Sequence, residues 1–460
     1  MRGAPCQSTL PYRAGPWLLA AAALAFSPGR AAAQEIPASG DKPALGKDLA
    51  AGPLRLDLGA QLRLRYEYDD QLTIKGYAPG STDGFVLERV MLDAALRYRK
   101  TARIVLQLRD AHAFGSSFSD ADFPQSNPIH DPLDIRQAFV EWTGIGGTPM
   151  GLKVGRQQIS YGDQRVFGPG LWGNTGRYAW DAAMLEVRTR WYDVDLWAGR
   201  PIENRPDRWP NPEASGPTAL VGYARLKGLP LRVDLFEAVK YDTANPVKGE
   251  SGTGPLRSYS SGFQAEGSAF ERLGYGATFV YQSGAYGRDK IRAFGFNAKA
   301  SALLAETWKP RVTAQLTWGS GDSNPHDGVH GTFDGVFGGA DIAFYGFLNL
   351  FYWANLHDHE LDFDLAPYPT LALRSEYHYM TLDQSTDAWY STGLKPVRVD
   401  RSGAAGSELG HELDAKLIWK AWEGVELLVA GGHYFPGRFV RETGKSPAAN
   451  WFGAQVTCGF

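Results

Sequence analysis

The sequence contains little cysteine and methionine, and it has no long apolar run after its first residues. Its 460 residues include 2 cysteines and 5 methionines. No stretch of about 18 apolar residues occurs outside the extreme N-terminus, which excludes a membrane protein built from spanning helices. The patterns G-x-S-x-G, H-E-x-x-H and the P-loop are also absent. The sequence therefore carries no common enzyme signature, and we expect a protein that is not an enzyme.

Glycine and aromatic residues are abundant instead. The chain has 54 Gly, 14 Trp, 21 Tyr and 23 Phe. So many aromatic side chains exclude a disordered chain, because disordered segments bury too little apolar surface to contain them. Many glycines beside many aromatics are typical of short strands joined by turns. The composition thus indicates an all-β protein.

The first 33 residues have the pattern of a secretory signal peptide. Arg2 and Arg13 give a positive start, residues 17–26 form a short apolar core, and residues 31–33 are small. A buried N-terminal helix is the alternative. Removal of 1–33 would leave 44 basic and 50 acidic residues, a net charge of −6, with Cys458 as the single cysteine. No intrachain disulfide could then form, which fits the bacterial envelope, and the acidic balance argues against a nucleic-acid partner.

Strict two-residue alternation is the main structural signal. After an expected flexible lead over 34–53, every second residue from Leu54 to Tyr68 is apolar, and the residues between are mostly charged or polar. Such a period belongs to a strand whose two faces meet different surroundings. At about 3.3 Å per residue, this strand is long enough to cross a bilayer while tilted. An apolar outer face and a polar inner face are typical of an outer-membrane barrel.

The alternation recurs along the rest of the chain and predicts one barrel over 54–460. The even number of segments matches bacterial barrels, whose termini lie on the same side. Short connections are expected to be periplasmic turns and long ones external or pore-entering loops. We count 18 strands, at 54–68, 85–99, 102–110, 133–142, 150–158, 183–191, 193–200, 219–227, 231–239, 259–269, 275–283, 291–301, 311–319, 345–358, 370–383, 408–420, 424–433 and 451–460. The long loops are 111–132, 159–182, 201–218, 240–258, 320–344, 384–407 and 434–450.

The end of the chain supports the same architecture. Phe460 ends a strand in which Phe452, Ala454, Val456 and Cys458 share its face. This pattern resembles the terminal strand that the barrel assembly machinery recognises; an ordinary edge strand is the alternative. We expect Cys458 to face lipid as a small apolar side chain. Outer-membrane lipid, including lipopolysaccharide, is thus an expected partner, and the cell outer membrane of a Gram-negative bacterium is the expected location.

Basic residues dominate the predicted inner face. The acids on that face are fewer, although the whole chain is acidic, so a basic constriction that favours anions is expected. Arginine suits carboxylates because its planar fork can bind them through two hydrogen bonds. For any single residue, pairing across strands remains an equal alternative. The bases are Arg63, Arg65, Arg97, Arg103, Arg109, Lys153, Arg188, Arg225, Lys299, Arg311, Arg374 and Lys416; the acids are Asp57, Glu67, Asp93, Glu186, Glu376, Glu412 and Asp414. Arg136 breaks the alternation of its strand and is expected at a rim.

Metal and cofactor signals are weak. Asp322, Asn324 and Asp327 lie in a loop that could hold calcium, but the spacing and distal Glu of an EF-hand are missing, so a solvated turn is favoured. The run 357–359, His-Asp-His, favours hydrogen-bonding residues at a strand end because no further ligand pattern accompanies it. We therefore expect neither a metal ion nor a cofactor.

The run 155–165, GRQQISYGDQR, followed by Gly168, Trp172, Asn174, Arg177 and Asp181, resembles the alginate-export family of outer-membrane porins. Stretches at 332–358 and 377–390 resemble the same family. The resemblance implies a monomeric barrel of 18 strands with an arginine-rich constriction for a polyuronate. It also implies polyanion contacts at Arg156, Arg165 and Arg177, unless Asp163 and Asp181 pair with them. Residues 161–165 are similar to a broad branch of the family, whose substrate need not be alginate.

Two functions follow from these observations. The first is a porin that passes an anionic oligosaccharide or polysaccharide, or a related small anion, by passive diffusion. The second is an exported, β-rich, polysaccharide-active enzyme or surface-binding protein. The continuous apolar strand faces and the terminal Phe460 favour the porin.

Overall fold

The computed structural model describes residues 45–338 and 342–460. The expected signal peptide and the first part of the expected lead, residues 34–44, lie outside the described residues. Among the described elements, none of the helices is long and apolar enough to span a membrane.

The described chain consists almost entirely of strands. They are β1 (Gly46–Ala51), β2 (Leu54–Thr73), β3 (Gly76–Tyr98), β4 (Ala102–Phe114), β5 (Asp131–Thr143), β6 (Met150–Gln157), β7 (Trp180–Arg188), β8 (Tyr192–Pro201), β9 (Thr218–Leu226), β10 (Arg232–Lys248), β11 (Thr253–Ala269), β12 (Leu273–Tyr286), β13 (Asp289–Leu303), β14 (Arg311–Gly319), β15 (Val329–His330), β16 (Leu356–Tyr368), β17 (Leu371–Thr381), β18 (Ala388–Ser391), β19 (Lys395–Val399), β20 (Glu408–Trp422), β21 (Val425–Pro436) and β22 (Ala449–Gly459). One short helix, α1 (Arg438–Glu442), and two 3-10 turns, Asp120–Asp122 and Ile145–Gly147, complete the described elements.

Eighteen of these strands form a closed antiparallel barrel. Each barrel strand pairs with the next one along the chain, and β22 closes the barrel by pairing with β2, where Cys458 lies opposite Leu62. The sheet contains 20 strands, two more than the barrel. The two additional strands are β1, which folds back on β2, and β15, which pairs in parallel with β13. The strands β18 and β19 form a separate hairpin within a loop. The predicted all-β fold and its strand number are confirmed.

The side chains of β2 show the two faces that the sequence predicts. Leu64 is 39% exposed and Tyr66 is 42% exposed, whereas the alternating Arg63 and Arg65 are each 1% exposed. Large apolar side chains on the other strands are exposed in the same way, among them Leu92, Ile104, Leu196, Leu220, Tyr281, Leu361, Leu413 and Phe452. An apolar surface of this extent suits lipid and would be a severe aggregation liability in water.

All the long loops lie at one end of the barrel, and the connections at the other end are short. The short-turn end includes the turns before β4, β8 and β21, and the long loops occupy the other end. The prediction of a long loop at 240–258 is wrong. Strand β10 continues to Lys248 and β11 begins at Thr253, so only a tight turn joins them. These two strands extend as one hairpin with a bulge after Asp242.

One predicted strand, 345–358, is also wrong. The strand in this region is β16, which begins at Leu356, and the residues before it belong to a loop. Consecutive side chains there are buried, including Tyr345, Phe347, Leu348 and Leu350. A barrel strand exposes every second residue to lipid, so a segment that is buried on all sides must lie inside the barrel.

Both ends of the described chain are held by β2. The expected flexible lead contains β1, whose residues Leu49 and Ala51 pair with Leu56 and Leu54. The backbone N–H of Phe460 donates to the carbonyl of Ala60 at 2.9 Å, and the N–H of Ala60 donates back at 3.0 Å. The last strand is therefore fixed in register up to the final residue.

Candidate pore site

Two long loops fold into the barrel and pack on one another. We call residues 158–179 the first inner loop, and residues 320–338 with 342–355 the second inner loop. The N–H of Gly168 donates to the carbonyl of Phe337 at 3.3 Å, and the ring centroids of Phe167 and Phe337 lie 6.3 Å apart. Buried aromatic side chains of both loops join one apolar cluster with the barrel wall. The lumen is thus narrowed by a packed core.

The first inner loop rests on arginines of the barrel wall. The two Nη atoms of Arg63 donate to the carbonyls of Leu171 and Gly173, both at 3.3 Å. Arg65 Nη1 donates to the carbonyl of Trp172 at 2.9 Å, and its guanidinium carbon lies 3.9 Å from the centre of the Trp172 ring. These backbone carbonyls lie outside any sheet, so buried arginines supply the donors that they need.

Two further arginines, Arg89 on β3 and Arg109 on β4, also hold the first inner loop. Arg89 Nη1 donates to the carbonyls of Leu171 and Gly173 at 3.1 and 3.4 Å. Arg109 donates to the carbonyl of Thr175 and pairs with Asp131. Arg63, Arg65, Arg89 and Arg109 are all buried. The structure thus places the predicted Arg63, Arg65 and Arg109 under the loop.

Arg136 joins the same group, contrary to the expectation of a rim position. The side chain is buried, and its Nη2 donates to the carbonyl of Tyr178 at 3.3 Å. The pairing of β4 with β5 shifts by one residue here, because Gln107 lies opposite Gln137 and Leu108 opposite Ile135. This bulge turns Arg136 inward although the simple alternation places it outside.

The three arginines named by the family resemblance lie in or beside the first inner loop. Arg156 binds both carboxylate oxygens of Asp181, at 2.9 and 3.0 Å. Arg165 is buried 3.7 Å from Asp163, and Arg177 lies 5.1 Å from the ring centre of its neighbour Tyr178. The geometry of Arg156 and Arg165 favours pairing with the two acids, the alternative that the sequence left open.

Water-accessible arginines lie nearer the short-turn end. We call the inward-facing pairs there the vestibule pairs: Arg97 with Asp57, Arg103 with Glu141, Arg188 with Glu186 and Asp195, and Arg225 and Arg232 with Asp234. The side chain of Arg188 is 42% exposed, while those of Glu186 and Asp195 are 11% and 12% exposed. The side chain of Arg225 is 41% exposed over a fully buried Asp234.

The vestibule pairs therefore present their positive ends to water. Arg103, at 46% exposure, covers Glu141 at 11% in the same manner. Lys153 lies between these pairs, with its Nζ 4.2 Å from the ring centre of Phe139. The predicted Arg374 differs, because it is largely buried and binds Asp364 through two hydrogen bonds. The exposed basic sector thus spans β3 to β10 and leaves out β17.

Sequence reasoning missed Arg89, Arg136 and Arg232 as inner-face bases. Arg89 shares the face of Met91 and Asp93, so extending the alternation of β3 by two residues would have found it. Arg232 could have been found from Asp234 in the same way. Arg136 carried no such signal, since its orientation follows from a bulge.

The weak metal candidates of the sequence have other roles. Asp322 Oδ1 accepts the N–H of Asn324 at 3.1 Å, and Asp327 Oδ1 accepts the N–H of Val329 at 2.9 Å. Side chains that accept a backbone N–H two residues on form Asx turns, so this geometry favours the solvated turn. His357 Nε2 lies 2.9 Å from Asp383 Oδ1, which fits the hydrogen-bonding interpretation.

Comparison with known proteins gives one family and many barrels of similar fold. A family model described as alginate export matches residues 54–454. The structure of Pseudomonas aeruginosa OccK2 (OpdF) in complex with glucuronate is 10% identical, with a TM-score of 0.56 over 88% of this chain and 98% of that one. Acinetobacter baumannii OccAB1 is 9% identical, with a TM-score of 0.57 over 90% and 99%. The outer membrane protein opdK of Pseudomonas aeruginosa is 12% identical, with a TM-score of 0.57 over 88% and 98%. Such low identities show a shared fold alone. No curated protein sequence matches the chain.

Proposed function

Because the chain belongs to the alginate export family, we propose that it is a porin of the Gram-negative outer membrane that passes an anionic saccharide by passive diffusion. The observation that carries the anionic preference is the exposure of the vestibule arginines above buried carboxylates. A solute in the lumen meets the guanidinium groups first, and the acids behind them lie farther away and less exposed. Coulomb attraction at such a surface favours anions, since it falls with distance and is screened by salt.

Uronate units fit this surface better than a neutral sugar does. A guanidinium binds a carboxylate through two parallel hydrogen bonds. Arg103, Arg188 and Arg225 stand on different strands, so one chain of uronates can meet them in succession. The glucuronate in the OccK2 structure is a solute of this class held by a barrel of the same fold, and it supports the choice of probe.

Passive diffusion requires no catalytic residue, and we propose that the chain is not an enzyme. The family and the similar structures are named as export and outer-membrane proteins. The ring of exposed apolar side chains argues against a protein that works free in water. We further propose a monomer surrounded by lipid and lipopolysaccharide, inserted by the assembly machinery through the strand that ends at Phe460.

A bilayer measurement tests the proposal. The full chain is inserted into a planar bilayer with unequal KCl concentrations, and the reversal potential gives the preferred ion. We expect preference for chloride, and we expect added oligouronate to block the current. Combined Arg188→Gln, Arg225→Gln and Arg232→Gln substitutions leave Glu186, Asp195 and Asp234 without their arginine partners, so selectivity should shift towards cations. Arg190→Gln, on the exposed turn after β7, is the matched control and should change nothing. Cation preference in the parent chain would contradict the proposal.

A further inference from the structure

A second group of charged side chains lies inside the barrel wall, away from the vestibule pairs. Three neighbouring strands, β16, β17 and β20, contribute it. We call it the buried acidic cluster; it consists of Asp358, Glu360, Glu376, Glu412 and Asp414 around His378. The side chains of His378, Asp358 and Asp414 have 1%, 0% and 0% exposure. Adjacent register positions bring them together, with Glu376 opposite Asp414 and His378 opposite both Glu360 and Glu412.

The orientation of His378 is fixed by Asp358. His378 Nδ1 lies 3.0 and 3.1 Å from the two carboxylate oxygens of Asp358. An ionised carboxylate only accepts hydrogen bonds, so Nδ1 carries the proton and donates. In a neutral imidazole, Nε2 then has a free lone pair. A carboxylate that orients a histidine in this way is the usual outer partner of a metal-binding imidazole.

The other ring nitrogen points at two more carboxylates. His378 Nε2 lies 4.0 Å from Glu376 Oε2 and 4.0 Å from Asp414 Oδ2. It is buried and has no hydrogen-bond partner among the residues that the structure describes. A separation of 4.0 Å is too long for a hydrogen bond. Two ligand atoms of a tetrahedral zinc ion, each about 2.0–2.2 Å from the metal, lie about 3.4 Å apart. Each carboxylate therefore needs to move only about half an ångström towards the imidazole to share one ion with it.

The five acids of the cluster outnumber the basic side chains beside it, which are Lys416 and Arg374. Arg374 binds Asp364 through two hydrogen bonds and also donates to Glu376 Oε1 at 3.4 Å. Glu412 Oε2 and Asp414 Oδ1 are buried and have no hydrogen-bond partner in the described chain. Buried carboxylates without a counter-charge are costly. A cation beside His378 would relieve that cost.

We propose that Glu376, His378 and Asp414 bind one divalent transition-metal cation, with Asp358 positioning His378. The three ligand atoms all lie within 4.8 Å of one another. One imidazole and two carboxylates are a donor set of zinc and related first-row ions. Calcium prefers oxygen ligands throughout, so the imidazole selects against it. Cation binding at this site does not require that anions pass through the barrel.

The same acids hold the second inner loop, which gives the cation a structural effect. Asp414 Oδ2 accepts the N–H of Phe347 at 3.0 Å, and Glu412 Oε1 accepts the N–H of Leu348 at 2.9 Å. A cation that fixes Asp414 would therefore also fix the loop that narrows the lumen. We expect metal binding to raise the thermal midpoint of the barrel.

Zinc titration of the detergent-purified full chain tests the site. After treatment with a chelator and dialysis, calorimetry with Zn²⁺ should show one saturable equivalent. His378→Gln should weaken that binding at least about tenfold, since it removes the imidazole ligand. His359→Gln is the matched control, because His359 follows Asp358 in the chain and lies on the outer face. This variant should bind zinc with the affinity of the parent chain. Excess Ca²⁺ should not displace the zinc.

Asp358→Asn keeps the test valid even where His378→Gln fails to fold. It changes no ligand and keeps a hydrogen-bond acceptor for Nδ1, and loss of such an outer partner lowers metal affinity about 10- to 100-fold. Heat-modifiable gel mobility shows which variants are folded. The proposal is overturned by the absence of saturable binding to the parent chain, by unchanged affinity in a folded variant of either residue, or by displacement of zinc by calcium. A thermal midpoint that rises on acidification without zinc binding would show that protons balance the cluster, and this too would overturn it.

Discussion

Each buried guanidinium beneath the first inner loop donates to at least one backbone carbonyl of that loop. Arg63 and Arg89 share the carbonyls of Leu171 and Gly173 as acceptors. Arginine suits this task because five N–H donors lie in a rigid plane, whereas lysine has a single nitrogen on a flexible stem. Charge repulsion between neighbouring arginines is the cost of this arrangement. The benefit is a loop held in the lumen without its own secondary structure.

Replacement of one of these arginines should therefore destabilise the fold rather than only change selectivity. Arg89→Met keeps most of the volume but removes one of the two arginine donors from each of the carbonyls of Leu171 and Gly173. A hydrogen bond from a charged donor contributes about 1.5–3 kcal/mol. We expect a lower thermal midpoint for this variant in detergent, measured by circular dichroism. Arg99→Met, on the exposed turn after β3, is the control, and an equal midpoint in the two variants would refute the loop-holding role.

The inner loops differ from the other connections because they pack as parts of the core. The first inner loop needs glycine where its backbone passes close to Arg136. Gly176 has φ +71°, and a Cβ at this position would lie 2.8 Å from Arg136 Nη2. The left-handed backbone conformation and the close contact each favour glycine. The path of the first inner loop thus depends both on the backbone conformation of Gly176 and on its contact with Arg136 of the barrel wall.

Alanine at position 176 tests this joint constraint. Gly176→Ala should loosen the first inner loop, because it adds strain of about 1 kcal/mol or more and displaces Arg136. Gly146→Ala is a close control: Gly146 has φ +61°, but a Cβ there meets no atom within 4 Å. Limited proteolysis of the folded proteins should cleave the Gly176 variant faster within 158–179. Similar cleavage of both variants would mean that the contact with Arg136 has no effect.

At the scale of the whole molecule, the fold could be predicted from alternation, and the interior only in part. The two-residue alternation seen in β2 recurs along the chain, and this recurrence predicts both the fold and the number of strands. The segment 345–358 misled because its aromatic residues imitate a lipid-facing strand, while both of its faces are in fact covered by the barrel. Local pattern cannot distinguish lipid from a packed lumen, since both select apolar side chains.

The interior depends on contacts between residues far apart in the chain. Alternation places Arg63 on the inner face, but its acceptors lie 108 and 110 residues away. The buried acidic cluster likewise joins β16, β17 and β20, and the sequence run 357–359 contributes only Asp358 to it. Such contacts require the register of the strands and the path of the loops. Spacing along the sequence contains neither.

Charge placed on the outer face separates a lipid-embedded barrel from a protein that works in water. Leu196 in the middle of β8 and Leu229 on a short turn are 49% and 48% exposed, so in water an arginine at either site would cost almost nothing. In a bilayer, Leu196→Arg should cost about 2–4 kcal/mol near the midplane, and Leu229→Arg about 0–1 kcal/mol near the interface. The unfolding free energies of both variants in lipid vesicles measure the difference. Equal values would remove the basis for a membrane-spanning barrel, because the two leucines are almost equally exposed and the barrel places them at different depths in the bilayer.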